Sequence, residues 1–291
     1  MVEKKVTQAQ KHDLVKELFA KTIKKFPREK VTPKHIDETW SIDLVDQSQL
    51  AKYNKGFKFI LTCIDIFSRF AWAIPIESKS SNSVSEAFKV ILESGRKPKR
   101  IWCDKGKEFY NTVFKSFLSK HNMEMYSTYS ELKAVFIERF NRTLREMLTI
   151  PVFIEGKANW IGKLETVLEK YNNRKHGSIK MTPVEASKKE NEDAVYAQMV
   201  DKRKFRKPRY EVGDLVRIPD KRTIFSKGDT TNWSYELFRI HQVLDEKPPE
   251  YLIEDEKKEK ILGIHYEQEI LKSNFTFQSN RQVLKSLEIG F

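Results

Sequence analysis

The chain has 291 residues, of which 39% are hydrophobic and 33% are charged; this length favours two unequal domains, each with its own core. The 54 Lys and Arg against 41 Asp and Glu give a net charge of +13, which indicates a polyanionic partner, nucleic acid before membrane. The two cysteines, Cys63 and Cys103, exclude a zinc framework and a disulfide scaffold and favour a reducing compartment. The sequence shows no signal-peptide core and no uncharged apolar run of membrane-spanning length.

The first part of the chain is a basic lead-in, residues 1–39. An apolar stripe predicts a helix from about Gln8 to Lys25, and Pro27 and Pro33 then mark an extended connection. We therefore expect a basic helical arm that precedes the main fold.

From Trp40 onward the pattern is three strands, a helix, a strand, a helix and a fifth strand. The first three strands have short links, which predicts an antiparallel meander. The fourth strand, RIWCD, follows a helix and is expected to run parallel to the first. This order predicts an α/β fold, a mixed five-stranded sheet with helices on both faces.

The next helix, KAVFIERFNRTLREM from Lys133 to Met147, carries an unusual polar face. Glu138, Asn141, Arg142 and Arg145 follow at three- and four-residue steps and so share one side of it. In isolation, such a face is more often a solvated surface with internal ion pairs. The rest of the chain favours a functional face instead of a solvated surface, because two further carboxylates occupy suitable positions.

Asp43 lies in the middle of the first strand and Asp104 ends the fourth. Ligand-binding groups gather at the carboxyl ends of neighbouring parallel strands, so these two acids are expected to meet there, with Glu138 brought alongside by the helix. Three clustered carboxylates without histidine or cysteine partners favour Mg²⁺ or Mn²⁺ over zinc. Two such ions can activate the attacking oxygen and stabilise the leaving oxygen of a phosphodiester. In this hypothesis Asp43 lies between the ions, and Asp104 and Glu138 hold one each.

Other acids compete for this assignment. Asp65 lies mid-strand, where a buried hydrogen-bonded role is the better interpretation. Asp46 comes three residues after Asp43 and so faces the other side of a regular strand. Glu108 follows the turn at Gly106 and is either a neighbour of the site or, more simply, a surface acid.

The segment after the helical region is the most basic of the chain. KRKFRKPR, from Lys202 to Arg209, fits a solvated linker and a phosphate-contacting or nuclear-targeting segment equally well. Four or five short strands then predict a small β-barrel. The expected division is a core at 40–198, a basic linker at 199–209, a barrel at 210–272 and a tail at 273–291.

Basic and amide side chains near the acids and in the linker are candidates for DNA contact. Arg142 and Arg145 are the better ones because they share the face of Glu138, whereas Lys105 and Lys133 are equally well explained as surface lysines. The full candidate set is Lys105, Lys133, Asn141, Arg142, Arg145, Lys202, Arg203, Lys204, Arg206, Lys207 and Arg209.

Five motifs in order resemble the integrases of the DDE superfamily. They are W-x-x-D-L at 40–44, IDIFSRFAWAIPI at 64–76, D-K-G-K-E-F at 104–109, K-A-x-x-x-E-R-F-N-R-T-L at 133–144, and Y-N-N-x-x-H with M-T-P at 171–183. The motif sequences are most similar to those of Maverick/Polinton-type and virophage integrases, which the segment LAKYNKG at 50–56 also resembles. Two features depart from many relatives: slightly fewer residues separate Asp104 from Glu138, and a zinc-binding His/His/Cys/Cys domain is not recognised.

The resemblance implies a ribonuclease H-like core, a C-terminal SH3- or chromo-like barrel, and action as a homo-multimer on double-stranded DNA. It also implies 3′-end processing and strand transfer by a DDE polynucleotidyl transferase, in the host nucleus or in a virion. Two alternatives stay open: a domesticated DNA- or chromatin-binding protein without chemistry, and a ribonuclease H-like nuclease. Aromatic residues of the predicted barrel also fit a methyl-lysine cage, although at strand spacing they are more often core residues; they are Trp233, Tyr235, Phe238, Tyr251 and Tyr266.

Overall fold

The computed structural model divides the chain into two compact units. One unit is Val31–Asp201, and the other combines Met1–Lys30 with Lys202–Phe291. The structure describes residues 6–23, 25–26, 28, 32–127, 135–156, 158–200, 203–204, 206–220 and 231–288. Within these residues, no helix is both long enough and apolar enough to cross a membrane.

The first unit, Val31–Asp201, alternates strands and helices as the sequence predicts. Its strands are β1 (Thr39–Asp46), β2 (Phe59–Asp65), β3 (Ala71–Ile76), β4 (Arg100–Trp102) and β5 (Glu124–Tyr126). Its helices are α2 (Ser81–Leu92), α3 (Thr112–Lys120), α4 (Val135–Glu155), α5 (Leu164–Asn172), α6 (Pro183–Ala186) and α7 (Glu192–Met199). The helix α1 (Gln8–Leu18) comes before them in the chain and belongs to the second unit.

The five strands form one mixed sheet in the order β3-β2-β1-β4-β5. The first three strands are antiparallel neighbours, whereas β4 pairs in parallel with both β1 and β5. Both predictions, the antiparallel meander and the parallel fourth strand, are confirmed. The carboxyl ends of β1 and β4 therefore lie side by side at one edge of the sheet.

Each face of the sheet is covered by its own helices, because side chains alternate between the faces along a strand. Leu61 and Cys63 pack with α2 and α3, while Ile60 and Ile64 pack with α4 and α5. Both cysteines, Cys63 and Cys103, are buried and free.

A side-chain amide covers the edge strand β3. Asn172, at the end of α5, accepts a hydrogen bond from Ala71 N at 3.0 Å and donates one to Ala71 O at 2.9 Å. The amide thus occupies hydrogen-bonding positions that a further strand would otherwise use. This contact gives the Y-N-N motif a structural role in closing the sheet.

A second buried amide, Asn54, joins the β1–β2 connection to the segment between α4 and α5. Its Nδ2 donates to Leu50 O and Ala158 O, both at 2.8 Å, and its Oδ1 accepts from Trp160 N at 2.8 Å and Ile161 N at 3.0 Å. These bonds hold residues 158–161 in a conformation that is not α-helical. α4 ends just before Gly156, whose φ is 64°. α5 consequently begins only at Leu164.

Replacing Asn54 by alanine is expected to lower the free energy of unfolding by about 2–4 kcal/mol. The change removes four hydrogen bonds, and buried donors and acceptors left without partners each carry a desolvation penalty. Chemical denaturation of the purified chain measures the loss. Asn173→Ala is the matched control, since this exposed amide makes one bond, to Glu169 O; equal losses in both variants would contradict the prediction.

The second unit contains strands β6 (Leu215–Arg217), β7 (Phe238–Leu244), β8 (Glu250–Glu254), β9 (His265–Tyr266) and β10 (Leu271–Lys272), followed by α8 (Phe277–Ser286). They pair antiparallel in the order β10-β6-β7-β8-β9. Within the described residues, no ladder joins β9 to β10, so the sheet is antiparallel but is not shown to close into the predicted barrel.

The aromatic residues of this unit are mostly core residues. Trp233, Phe238, Tyr251 and Tyr266 are buried, whereas Tyr235 is 37% exposed. Tyr251 packs edge-on to Tyr210, and its hydroxyl accepts a hydrogen bond from Arg209 N at 3.0 Å. The core interpretation is confirmed for these four side chains, and they do not form an open cage.

The N-terminal helix is not a separate arm, contrary to the expected division at residue 39. Leu14 and Leu18 of α1 pack with Val283 and Leu284 of α8 in one apolar cluster. The expected tail, 273–291, supplies α8 to this unit. The sequence pattern did not show this pairing because the two apolar stripes lie at opposite ends of the chain.

A fully buried arginine, Arg217, ties the two helices to β6. Its Nε donates to Glu17 of α1 at 3.0 Å and its Nη2 donates to Asn280 of α8 at 2.7 Å. Its Nη1 donates to Ser234 O and Tyr235 O at 2.9 and 3.0 Å. The buried guanidinium is therefore both paired and hydrogen-bonded, as a charge at this depth requires.

Candidate active site

Asp43 and Asp104 lie next to each other because of the register of their strands. Ser41 of β1 pairs with Trp102 of β4 in parallel, and each acid follows two residues later. Equal offsets along neighbouring parallel strands place both side chains on the same face, at adjacent positions. This face is the one that α4 covers, since Val45, two residues beyond Asp43, packs there.

The Asp43 carboxylate is held by two hydrogen bonds. Its Oδ1 accepts from Leu44 N and its Oδ2 from Asn141 Nδ2, both at 2.8 Å. Burial nevertheless raises its pKa to about 6, and the neighbouring charge of Asp104 contributes to the increase. The positive charge of Arg145 opposes this increase in pKa, so the Arg145 side chain also lies near Asp43. The site thus concentrates negative charge that nearby groups compensate only in part.

Asp104 follows β4 in a tight turn. Its Oδ1 accepts a hydrogen bond from Gly106 N at 3.0 Å, and its side chain is exposed. Glu108 folds back over the turn: a Cβ on Gly106 would lie 2.6 Å from the Glu108 carboxyl carbon. Glu108 is half-buried beside this turn.

The first turns of α4 carry the third predicted acid. Glu138 is exposed and precedes Asn141 by three residues on the same helical face. In the described part of the chain, no three acidic, histidine or cysteine side chains are gathered closely enough to enclose a metal ion. The structure thus brings Asp43 and Asp104 together and places Glu138 one helical turn from the residue that contacts Asp43.

Asn141 has a different position from the one expected of a DNA contact. It is 5% exposed and its amide nitrogen is bound to Asp43, while its Oδ1 is buried without a hydrogen-bond partner. A positioning role toward the Asp43 carboxylate follows from these contacts. The sequence signal for it was the three-residue step from Glu138, which put both on one face.

The rival acids take other places. Asp65 is fully buried and accepts hydrogen bonds from Ser68 Oγ at 2.5 Å and from Arg96 Nη2 at 2.8 Å, which confirms its structural interpretation. Asp46 is exposed and accepts from Ser48 N at 2.9 Å. Burial raises the pKa of Cys103 to about 12, and Asp104 adds to the increase, so this thiol stays protonated beside the acids.

The remaining DNA candidates are mostly surface residues. Lys133 and Lys202 lie outside the described residues. Arg203 donates to Arg28 O at 2.7 Å and is half-buried. The others are exposed, namely Lys105, Arg142, Arg145, Lys204, Arg206, Lys207 and Arg209.

Comparison with known proteins relates most of the first unit to a described family. Residues 33–128 match the family described as Integrase core domain. Over these residues the chain is similar to that family. Asp43 and Asp104 lie within the matched residues, and α4 with Glu138 follows them.

Proteins that are similar to this chain occur in mobile elements. Over 192 residues, 66% of its length, the chain is 35% identical to a transposon-derived protein of Caenorhabditis elegans, and the match covers 65% of that protein. Over 154 residues, 53% of its length, it is 25% identical to the retrovirus-related Pol polyprotein from transposon 297 of Drosophila melanogaster, covering 14% of the polyprotein. The chain thus spans less than two thirds of the length of each relative.

A solved structure shares the fold. A chain of the simian T-cell lymphotropic virus intasome, determined in complex with PP2A regulatory subunit B56 gamma, superimposes with a TM-score of 0.60 at 12% identity. The alignment covers 88% of this chain and 84% of that one. At this identity the likeness is one of fold, and it agrees with a ribonuclease H-like mixed sheet.

Proposed function

We propose that the protein is the integrase of a mobile element or virus, which processes the 3′ ends of element DNA and joins them to target DNA. The observation that carries the proposal is the adjacency of Asp43 and Asp104 at the carboxyl ends of parallel strands, inside the residues that match the Integrase core domain family and beneath the helix that bears Glu138. The sequences of the five motifs favour an element of the Maverick/Polinton or virophage kind.

The donor chemistry of the site fits Mg²⁺ or Mn²⁺. Asp43, Asp104 and Glu138 offer only carboxylate oxygens, which these hard cations prefer, and the buried Oδ1 of Asn141 is one more oxygen without a partner. Burial, with the neighbouring charge of Asp104, raises the pKa of Asp43, and a bound cation would favour the charged form of this carboxylate. Bound by these residues, two such ions would supply Lewis-acid activation of a water or 3′-hydroxyl and stabilise the leaving oxygen.

The protein's own groups would orient that chemistry. The bonds from Leu44 N and Asn141 Nδ2 fix both oxygens of Asp43, and the bond from Gly106 N fixes Asp104. Precise placement of reacting groups is a large part of the catalysis of phosphoryl transfer. Arg142 and Arg145, on the α4 face, and the exposed linker residues Lys204, Arg206, Lys207 and Arg209 would contact DNA phosphates.

Assembly and location follow from this activity. Joining two DNA ends to one target requires more than one core, and the structurally similar chain belongs to an intasome, so we propose a homo-multimer. The C-terminal sheet is proposed to be an SH3- or chromo-like DNA-binding module, with chromatin as a further partner. The protein would act in the host nucleus or be carried in a virion.

The test is strand transfer and its reversal with Mg²⁺ or Mn²⁺. A branched duplex with a 3′-hydroxyl held against the joint reports the reverse reaction without knowledge of the element ends. Glu138→Gln is expected to lower the rate by roughly 100- to 1000-fold, the effect of removing one electrostatic stabiliser of a transition state.

Glu146→Gln is the matched control, because Glu146 is an exposed acid on the same helix and is not part of the proposed site. Cleavage without joining would favour the nuclease. DNA binding with no metal-dependent chemistry would favour the non-catalytic binding protein. Activity that survives Glu138→Gln would contradict the site assignment.

A further inference from the structure

A buried arginine occupies the turn between β2 and β3. The Arg69 side chain is 8% exposed, its guanidinium carbon lies 4.1 Å from the centre of the Phe136 ring of α4, and its Nη1 donates to Ile66 O at 2.6 Å. Across the described residues, Arg69 forms no ion pair. The charge is thus buried with a carbonyl and an aromatic ring as partners, and without a carboxylate.

The backbone at Arg69 is also unusual. Its φ is 63, in the left-handed region, which disfavours residues with a Cβ by roughly 1–2 kcal/mol. Glycine would avoid both this strain and the desolvation of the guanidinium. An arginine at such a position points to a use for the charge, because strained residues concentrate at functional sites.

Further cations surround Arg69. Burial is the main cause that lowers its pKa to about 10; Tyr171 and Asp65 oppose the decrease and Arg139 adds to it. Burial also lowers the pKa of His176, and Arg69 and Arg174 contribute. The His176 ring lies 4.9 Å from that of Tyr171, whose ring packs 4.8 Å from Phe140 of α4.

The outer members of this cluster are open to solvent. Arg139 and Arg174 are exposed and His176 is half-buried, and no ion pair neutralises any of the three within the part of the chain that the structure describes. The three arginines and His176 therefore line one surface, with Arg69 at its base.

We propose that Arg69, Arg139, Arg174 and His176 form a phosphate-binding patch that holds a DNA backbone beside the carboxylate site. The inference rests on the proposed function. Arg139 directly follows Glu138 in α4, so one helical turn serves both the acids and the patch. A phosphate would neutralise charges that the protein leaves uncompensated, and guanidinium groups bind phosphate through paired N–H donors.

DNA binding at several NaCl concentrations, without divalent metal, tests the patch. The full chain is titrated into a fluorescently labelled duplex of arbitrary sequence, because phosphate contacts do not depend on sequence. Each lost contact is expected to reduce the slope of log affinity against log salt by about 0.9. The double variant Arg139→Gln/Arg174→Gln should therefore lose close to two units of slope.

The control removes the same charge from the other side of the molecule. Lys89→Gln/Lys120→Gln changes exposed cations of α2 and α3, the helices that cover the face of the sheet opposite α4. This variant should keep the wild-type slope. Arg69→Gly, which suits the local φ, should lose about one unit of slope; if it fails to fold, the exposed pair decides the question.

Equal slopes for the patch variant and the control would overturn the patch and leave the proposed function intact, since the Glu138→Gln experiment is independent of it. A wild-type chain that binds no DNA would overturn both. Loss of slope confined to the patch variants supports the inference.

Discussion

Asp43→Asn is expected to abolish strand transfer and, at the same time, to make the metal-free protein more stable. The activity falls because a neutral amide would be a far weaker ligand for a hard cation than a carboxylate. The stability rises because the Asp43 carboxylate is charged in a site that disfavours its charge. In the Asp43→Asn variant the new side-chain amide could also donate a hydrogen bond to the unpartnered Oδ1 of Asn141, once the Asn141 amide rotates.

The expected gain depends on pH with a definite sign. The folded-state pKa of Asp43 is about 6, raised from 3.8. The carboxylate therefore costs almost nothing below about pH 4; its cost grows between about pH 4 and about pH 6 and is constant above that. Two pKa units correspond to at most about 3 kcal/mol, and partial exposure reduces the expected gain to about 1–2 kcal/mol at neutral pH.

Chemical denaturation in EDTA at about pH 4 and at about pH 7 measures this difference. Asp46→Asn is the matched control, since hydrogen bonds from Ser48 lower the pKa of Asp46. Its replacement should leave stability unchanged or slightly reduce it. A loss of stability in Asp43→Asn at neutral pH would show that the carboxylate is a structural group, contrary to the proposed role.

Arg96→Leu is expected to destabilise the first unit by about 3–5 kcal/mol, because it leaves a buried carboxylate without its counter-ion. Arg96 donates to Asp65 at 2.8 Å, to Asp37 at 2.6 Å and to Ser187 Oγ at 2.9 Å. It also lies 5.0 Å from the centre of the Trp72 ring. Burial is the main cause that raises the pKa of Asp65, and Arg96 opposes it, so its removal should raise that pKa further.

Two comparisons distinguish this effect from a general loss of charge. Arg100→Leu removes an exposed ion pair with Glu38 and should change stability by less than about 1 kcal/mol. Adding Asp65→Asn to Arg96→Leu should restore part of the loss. The deficit of Arg96→Leu should also shrink toward acid pH, where Asp65 is protonated; a deficit independent of pH and of Asp65→Asn would refute the explanation.

The sequence predicted those features of the site that depend on local periodicity. Strand alternation and the parallel pairing of two neighbouring strands were enough to bring Asp43 to Asp104, and helical spacing placed Glu138 and Asn141 on one face. Whether a polar residue on that face is solvated or buried depends on the depth to which the helix packs, which spacing does not give. Asn141 was accordingly assigned to DNA although it is bonded to Asp43.

Long-range hydrogen bonds account for the other differences. The amides of Asn54 and Asn172 form hydrogen bonds with backbone groups about 100 residues away, so no local sequence pattern predicts these bonds. The same is true of the apolar stripe of α1, whose partner lies in α8. A polar tail and a basic arm were expected from composition, whereas the two segments bury apolar residues against each other.

The pairing of α1 with α8 has a consequence for synthesis of the chain. Glu17 accepts a hydrogen bond from Asn274, 257 residues later. At about 5–20 residues per second, the ribosome needs on the order of tens of seconds to make the intervening sequence. The first helix therefore leaves the ribosome long before its partner is synthesised, and the first unit, Val31–Asp201, can fold while Leu14 and Leu18 are still exposed to solvent.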